Sequence, residues 1–317
     1  MDDAKYTTAS NSLNASKIPT ARAPFGYYGA KLRIASRIIN ALPPHNAWVE
    51  AFCGSAAITL AKKPVPIEVI NDLDGQIINV FRQLRTNAEA LCRSVALTPY
   101  ARAEYQNAMT PRDDDDPLER ARKFLVATMM TINATAGSYS GAGFSFSQSY
   151  TRGEREARVN RWYNLPDRLT RVVERLRNVR VENRDARELL RMFWDRPATL
   201  VYLDPPYFVR RRHNYPIETN DESFHNELLD ICCKARCMIL LSGYDNVLYN
   251  RTLSRKKGWK RMTIRTNTRD TTGKDYPRTE VLWKNKLYIK AENTGRVPIR
   301  LTAKEKAGKK INPPRKR

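Results

Sequence analysis

The stretch Trp48-Val49-Glu50-Ala51-Phe52-Cys53-Gly54-Ser55-Ala56-Ala57 passes from a strand-like apolar run into a turn of small residues and then into a helix that ends near Lys63. A second short run, Ile67-Glu68-Val69-Ile70, closes on Asn71-Asp72 and leads into a helical pattern near 76–85. Strand, helix, strand, helix in this order implies right-handed parallel crossovers, the beginning of a doubly wound α/β sheet. Upstream, Leu32, Ile34, Ile38, Ile39 and Leu42 give a helical period that Pro43-Pro44 ends. The alternation resumes at Val179-Arg180-Val181-Glu182, continues through a helix over 186–194, the run Thr199-Leu200-Val201-Tyr202-Leu203, a helix over 223–234 and a strand over 238–241. Two further β-like runs, 261–265 and 279–283, have no helix between them and read as an antiparallel closing pair.

Residues 86–178 interrupt this rhythm. They are mostly helical and include the acidic turn 113–116 and a Gly/Ser/aromatic stretch, 136–150. The chain therefore divides into an arm at 1–20, a sheet domain at 21–85 and 179–290, an inserted module at 86–178 and a tail at 291–317.

The strand at 199–203 ends in Asp204-Pro205-Pro206-Tyr207. A carboxylate and a prolyl carbonyl can accept two hydrogen bonds from an exocyclic amine, while the Tyr ring stacks on the flat heterocycle that carries it. Two prolines stiffen the loop and remove backbone donors that would compete for the carboxylate. Asp-Pro is also common in turns, so the tetrapeptide alone reads equally well as the end of a strand. The turn around Gly54 lies where a ligand approaches the backbone at the carboxyl edge of a sheet. Asp72, about twenty residues on, stands where a carboxylate binds ribose hydroxyls, and Asp185, after the third strand, can accept from an adenine amine. Either acid can instead be a helix cap. With no three-glycine nucleotide signature, S-adenosylmethionine fits better than a dinucleotide.

The formal net charge is +23, from 56 Lys plus Arg against 33 Asp plus Glu. Residues 303–317 hold seven basic residues and one Glu, so most of the excess lies elsewhere, and a polyanionic partner is expected. Nine arginines fall between 152 and 180, and the spacing of Arg155, Arg158 and Arg161 predicts one side of a helix, with Leu169, Val172, Val173 and Leu176 on an apolar side further on. Arg152 opens this run, and Arg210-Arg211-Arg212 follows the Asp-Pro-Pro-Tyr loop, where phosphates beside a bound nucleotide would pass. Tyr139, Phe144 and Phe146 suggest a hairpin that enters a groove. No stretch approaches a membrane span and no signal pattern opens the chain, so a cytoplasmic protein is expected. Five cysteines without a Cys-x-x-Cys pair, and only three histidines, argue against a metal site.

These motifs resemble, in order, those of the adenine-N6 DNA methyltransferases of bacteria and their phages. Over roughly 24–284 the chain has the family's aromatic-Gly-x-Lys element (Tyr28-Gly29-Ala30-Lys31), its acidic-x-Phe-x-Gly turn (Glu50 to Gly54), its Asn-Asp pair (Asn71-Asp72), an Asn-x-Asp element (Asn183-Arg184-Asp185) and the Asp-Pro-Pro-Tyr loop. Ser242-Gly243-Tyr244-Asp245 and Thr279-Glu280-Val281-Leu282-Trp283 resemble its later strand ends. The resemblance implies a Rossmann-like methyltransferase fold with an inserted target-recognition domain, and S-adenosylmethionine held by Tyr28, Lys31, Phe52, Gly54, Asp72 and Asp185. It also implies direct transfer to N6 of an adenine flipped out of duplex DNA, with Asp204, Pro205, Pro206 and Tyr207 at the reaction centre and a monomer or weak dimer acting without metal. A silent or RNA-directed member of the same fold is the alternative. Ala56 departs from the family's frequent second Gly, which implies altered packing in the turn.

Overall fold

The computed structural model describes residues 20–27, 31–110, 112, 114–132, 143–152, 154–207, 222–269 and 275–299. Tyr28, Tyr139 and Arg210-Arg211-Arg212 lie outside the described residues. Seven strands form one sheet in the order β5 (Val179–Glu182), β2 (Ile67–Asn71), β1 (Ala47–Glu50), β6 (Thr199–Leu203), β7 (Met238–Gly243), β9 (Asp275–Lys284), β8 (Lys260–Arg269). The first five are mutually parallel. β9 runs antiparallel to β7 and pairs along its whole length with β8, which is the expected closing pair.

Parallel strands covered by helices on both faces must bury every side chain, and β1, β6 and β7 are buried throughout. Alternate residues separate onto the two faces. Val49, Val201, Ile239 and Val281 meet α9 (Ala186–Phe193), α10 (Glu222–Lys234) and α11 (Val247–Thr252). Trp48, Leu200, Met238 and Leu282 meet α1 (Ala35–Asn40), α2 (Ala57–Ala61) and α12 (Lys286–Thr294). The helical period upstream of Pro43 begins as a single 3-10 turn, Lys31–Arg33, and becomes α-helical only at Ala35, which leaves Leu32 half exposed.

The helices α3 (Gly75–Thr86), α4 (Ala88–Leu97), α5 (Arg102–Ala108), α6 (Pro117–Met130), α7 (Ala157–Tyr163) and α8 (Leu165–Leu176) share one apolar core that runs from Ile70 of β2 to Trp162 and Leu176. Asp116 caps α6 through Glu119 N, with Pro117 in the first turn. One polar knot ties this layer to the sheet. The guanidinium of Arg175 on α8 is fully buried, donates to both oxygens of Glu68 at 2.6 and 3.0 Å and to the carbonyl of Thr59, and Lys62 joins the same carboxylate at 2.7 Å.

Two expectations for this region need correction. Arg155 is not on a helix: it pairs with Arg152 across the short hairpin of β3 (Thr151–Arg152) and β4 (Arg155–Glu156), with Glu154 in the turn at a φ of 60°. The every-third spacing held by chance across a turn, and only Arg158 and Arg161 ride on α7. Phe144 does not project into a groove. It bridges Thr131 and packs against Tyr100 and Tyr105, ring centroids 5.2 and 5.8 Å away, whereas Phe146 and Tyr150 are exposed.

Candidate active site

The strand order reverses between β1 and β6: from β1 the chain proceeds outward to β2 and β5, and from β6 outward to β7 and β9. Crevices form at such a switch point, beyond the carboxyl ends of the strands. Lys31, Phe52, Gly54, Asp72, Asp204, Pro205, Pro206 and Tyr207 all line the cleft found there, together with Tyr27 and Glu50.

The β1 side is a tightly held turn. Gly54 adopts a φ of 47°, and a Cβ there would stand 2.7 Å from the Tyr27 ring, so only glycine fits without displacing Tyr27. Ala56 is also left-handed, at φ 53° and ψ 36°, so the departure noted in the sequence is absorbed as backbone strain at a fully buried methyl. Asp72 accepts from Gly54 N at 2.8 Å and from Asp74 N at 3.0 Å, which locks the turn to the end of β2. The cap of α3 is the next acid, Asp74. Burial pushes the Asp72 carboxyl up to about 6. Glu50, fully buried, accepts from Thr59 N at 2.9 Å and from its hydroxyl, yet burial still pushes it up to about 7. Cys53 is buried beside this turn, and burial pushes its thiol far up.

The β6 side is where the amine-binding loop meets Lys31. One Asp204 oxygen, Oδ2, is 2.6 Å from Lys31 Nζ. The other, Oδ1, is buried and accepts no hydrogen bond. A bare buried carboxylate oxygen is expensive unless a donor arrives to satisfy it. Burial works against the charge of Lys31, and the carboxylates of Asp204 and Glu280 outweigh it, holding its pKa above the ordinary value. The Lys31 ammonium also lies 5.0 Å from the centroid of the Tyr207 ring, which packs edge-on against Tyr244 at 4.4 Å.

Asp185 is not in this group. It caps α9 through Arg187 N at 2.7 Å, and the Arg187 guanidinium occupies both of its oxygens, which holds the carboxyl below its ordinary range. Sequence reasoning passed over Tyr27, Glu50 and Glu280. For Glu280 a signal existed: a Glu inside an otherwise apolar strand must have a partner.

A second depression is lined by Arg22, Arg152, Arg158, Arg161, Arg168 and Arg171 against one acid, Asp167, with Phe146 and Tyr150 at its edge. α2 joins the two sites: Ala57 and Ile58 line the cleft, Ala61 the depression. Burial and the neighbouring guanidiniums oppose the charge of Arg168 and Arg161. Arg155 lies apart, stacked 4.1 Å over Tyr163. Among the described residues no cluster of His, Cys, Asp and Glu could hold a metal ion, and no helix is long and apolar enough to cross a membrane.

No curated protein matches the chain. Among solved structures it is similar to a proposed RNA methyltransferase from Pyrococcus horikoshii, with 10% identity over 85% of this chain and 93% of that one and a TM-score of 0.32. It is also similar to the rRNA methyltransferase aviRa from Streptomyces viridochromogenes, with 14% identity over 91% and 99% and a TM-score of 0.34. At these scores neither likeness bears on the substrate. The model of the D12 class N6 adenine-specific DNA methyltransferases matches residues 27–262, well over half of the chain and every parallel strand of the sheet, and the protein therefore belongs to that family.

Proposed function

We propose that the protein transfers a methyl group from S-adenosylmethionine to N6 of an adenine extruded from duplex DNA. The observation that carries this reading is the division of labour at Asp204, which lines the cleft: Oδ2 is engaged by Lys31, and Oδ1 is buried without a hydrogen bond. An adenine amine brings two N–H donors. Asp204 Oδ1 and the Pro205 carbonyl accept them, Pro206 keeps the loop stiff, and the Tyr207 ring supports the base. Accepting both hydrogens draws the N6 lone pair out of conjugation, which a poor nucleophile needs. The rest of the rate comes from alignment in a closed site.

The same cleft suits a cationic donor. Glu50, Asp72 and Asp204 line it against the single cation Lys31, and the glycine at 54 lets the turn lie close against Tyr27 on the same wall. Lys31, Phe52, Gly54 and Asp72 are the residues assigned to S-adenosylmethionine, which supplies an electrophilic methyl on sulfur when bound; Tyr28 is assigned with them on the sequence motif. Asp185 would have to release Arg187 before serving a cofactor, so its role here is to cap α9. The six-arginine depression, with the helical segment 86–178 around it, is assigned to the phosphate backbone. Arg210, Arg211 and Arg212 are assigned to the phosphates beside the target on their place in the sequence.

The test is transfer of labelled methyl from S-adenosylmethionine to unmethylated duplex DNA, single-stranded DNA and RNA, followed by nucleoside analysis. The expected product is N6-methyladenine in DNA. Label in cytosine, label in RNA alone, or no label at all overturns the reading.

A further inference from the structure

Glu280 lies on β9, beside the Asp-Pro-Pro-Tyr loop but on a different part of the chain. Its Oε1 accepts a hydrogen bond from Tyr207 Oη at 2.5 Å and another from the Ser242 hydroxyl on β7, and stands 3.7 Å from Lys31 Nζ. One carboxylate oxygen thus collects a ring from the β6 loop, a hydroxyl from β7 and an ammonium from the N-terminal turn. We propose that Glu280 is a positioning residue for methyl transfer: it fixes the Tyr207 ring and the Lys31 ammonium so that Asp204 presents one free oxygen to the amine.

The physical argument has two parts. A Tyr at the end of a loop can swing about its side-chain torsions, and a ring that supports a reacting base must not. Tying Oη to a strand at the centre of the sheet's antiparallel half removes that freedom while leaving the ring in the cleft. Lys31, for its part, sits between two carboxylates, 2.6 Å from Asp204 and 3.7 Å from Glu280. Glu280 gives the ammonium a second carboxylate partner while it contacts Oδ2 of Asp204. Without it Lys31 is free to bridge both Asp204 oxygens, and the acceptor meant for substrate is lost. Glu280 is buried, 4% exposed, so it acts through Tyr207 and Lys31 and does not itself reach the base. The inference rests on the methyltransfer reading above.

The experiment compares the full-length wild type with Glu280→Ala, Glu280→Gln, Tyr207→Phe and the double variant Tyr207→Phe/Glu280→Ala. Steady-state methyl transfer to duplex DNA is measured beside S-adenosylmethionine binding by calorimetry and DNA binding by anisotropy. Glu280→Ala is expected to lower kcat by about tenfold or more with both affinities within about threefold, the signature of an interaction that matters at the transition state. Glu280→Gln, which still accepts from Tyr207 and Ser242, recovers most of that loss. Tyr207→Phe lowers kcat without moving KM, and the double variant is no slower than Glu280→Ala, because both changes remove one interaction. If Glu280→Ala fails to fold, Tyr207→Phe and Glu280→Gln decide alone. An unchanged kcat in Tyr207→Phe, or losses in kcat matched by equal losses in both affinities, overturns the proposal while leaving the activity in place. A wild type that methylates nothing overturns both.

Discussion

Two arginines on the same helix, Arg175 and Arg168, show how differently one residue type is used. Arg175 is fully buried and bound in bidentate fashion to Glu68, with Lys62 on the same carboxylate. Arg168, two turns earlier, faces a depression where five more arginines meet a single acid. The contrast extends to the cleft at the switch point, which carries the opposite imbalance: three lining carboxylates against Lys31. Charge balanced inside the molecule holds the fold together, and the function proposed above uses charge left unbalanced at concave surfaces for binding. The anionic cleft fits a cationic donor and an amine; the cationic depression fits phosphates.

The sharpest way to break this contrast is at Asp204. Asp204→Ala removes the bare acceptor and is expected to abolish methylation, leaving donor affinity within a few-fold; a residual rate above about one tenth of wild type would rule out the amine-accepting role. Next in size is Arg175→Ala. It strands Glu68 in the core with only Lys62, and a loss of about 3–5 kcal/mol is expected in urea denaturation. Arg168→Ala, its counterpart, should leave the free protein's stability nearly unchanged. Equal losses in the two variants would erase the distinction between paired and unpaired arginines. Smaller again is Arg158→Glu with Arg161→Glu. DNA affinity should fall by roughly tenfold or more at moderate salt, and the slope of log affinity against log salt should flatten by about 2, one unit for each lost phosphate contact. An unchanged slope would remove the depression from the DNA path.

The sheet was readable because its cues are local and redundant. β1, β2 and β6 are short apolar runs bounded by Pro, Gly or Asn-Asp, and a run buried on both faces needs no long-range information to be recognised. The cleft residues Phe52, Gly54, Asp72 and Asp204 were legible for the same reason, since a switch point puts strand ends in fixed places. Long-range pairing was not legible. Glu280 reaches Tyr207 across 73 positions and Arg175 reaches Glu68 across 107, so neither partner could be named from spacing, and Arg175 was only one of the nine arginines between 152 and 180. Asp185 failed for a local reason: a strand-end acid followed two residues later by Arg187 can satisfy itself, and it does. Arg155 was misplaced because three-residue spacing continues unbroken through a hairpin turn whose only sign was Gly153-Glu154.

The smallest effect expected concerns the cost of the cleft's negative charge to the protein itself. Glu50 is fully buried, and its carboxyl is pushed up to about 7 against an ordinary value of 4.5. A carboxyl whose folded pKa exceeds its unfolded pKa stabilises the fold fully below the unfolded value, and that contribution is lost as pH rises through the folded one. The window is therefore about pH 4.5 to 7. Glu50→Gln keeps an oxygen that can accept from Thr59 N and its hydroxyl, and removes the titration. Between pH 5 and 8 it should gain about 1–2 kcal/mol on the wild type in urea denaturation. If the cleft takes S-adenosylmethionine as proposed, the same change should weaken its binding at pH 8, because it removes negative charge from the lining. Parallel stability curves for the two proteins would show that Glu50 titrates alike in the folded and unfolded states, and that burial does not raise its carboxyl.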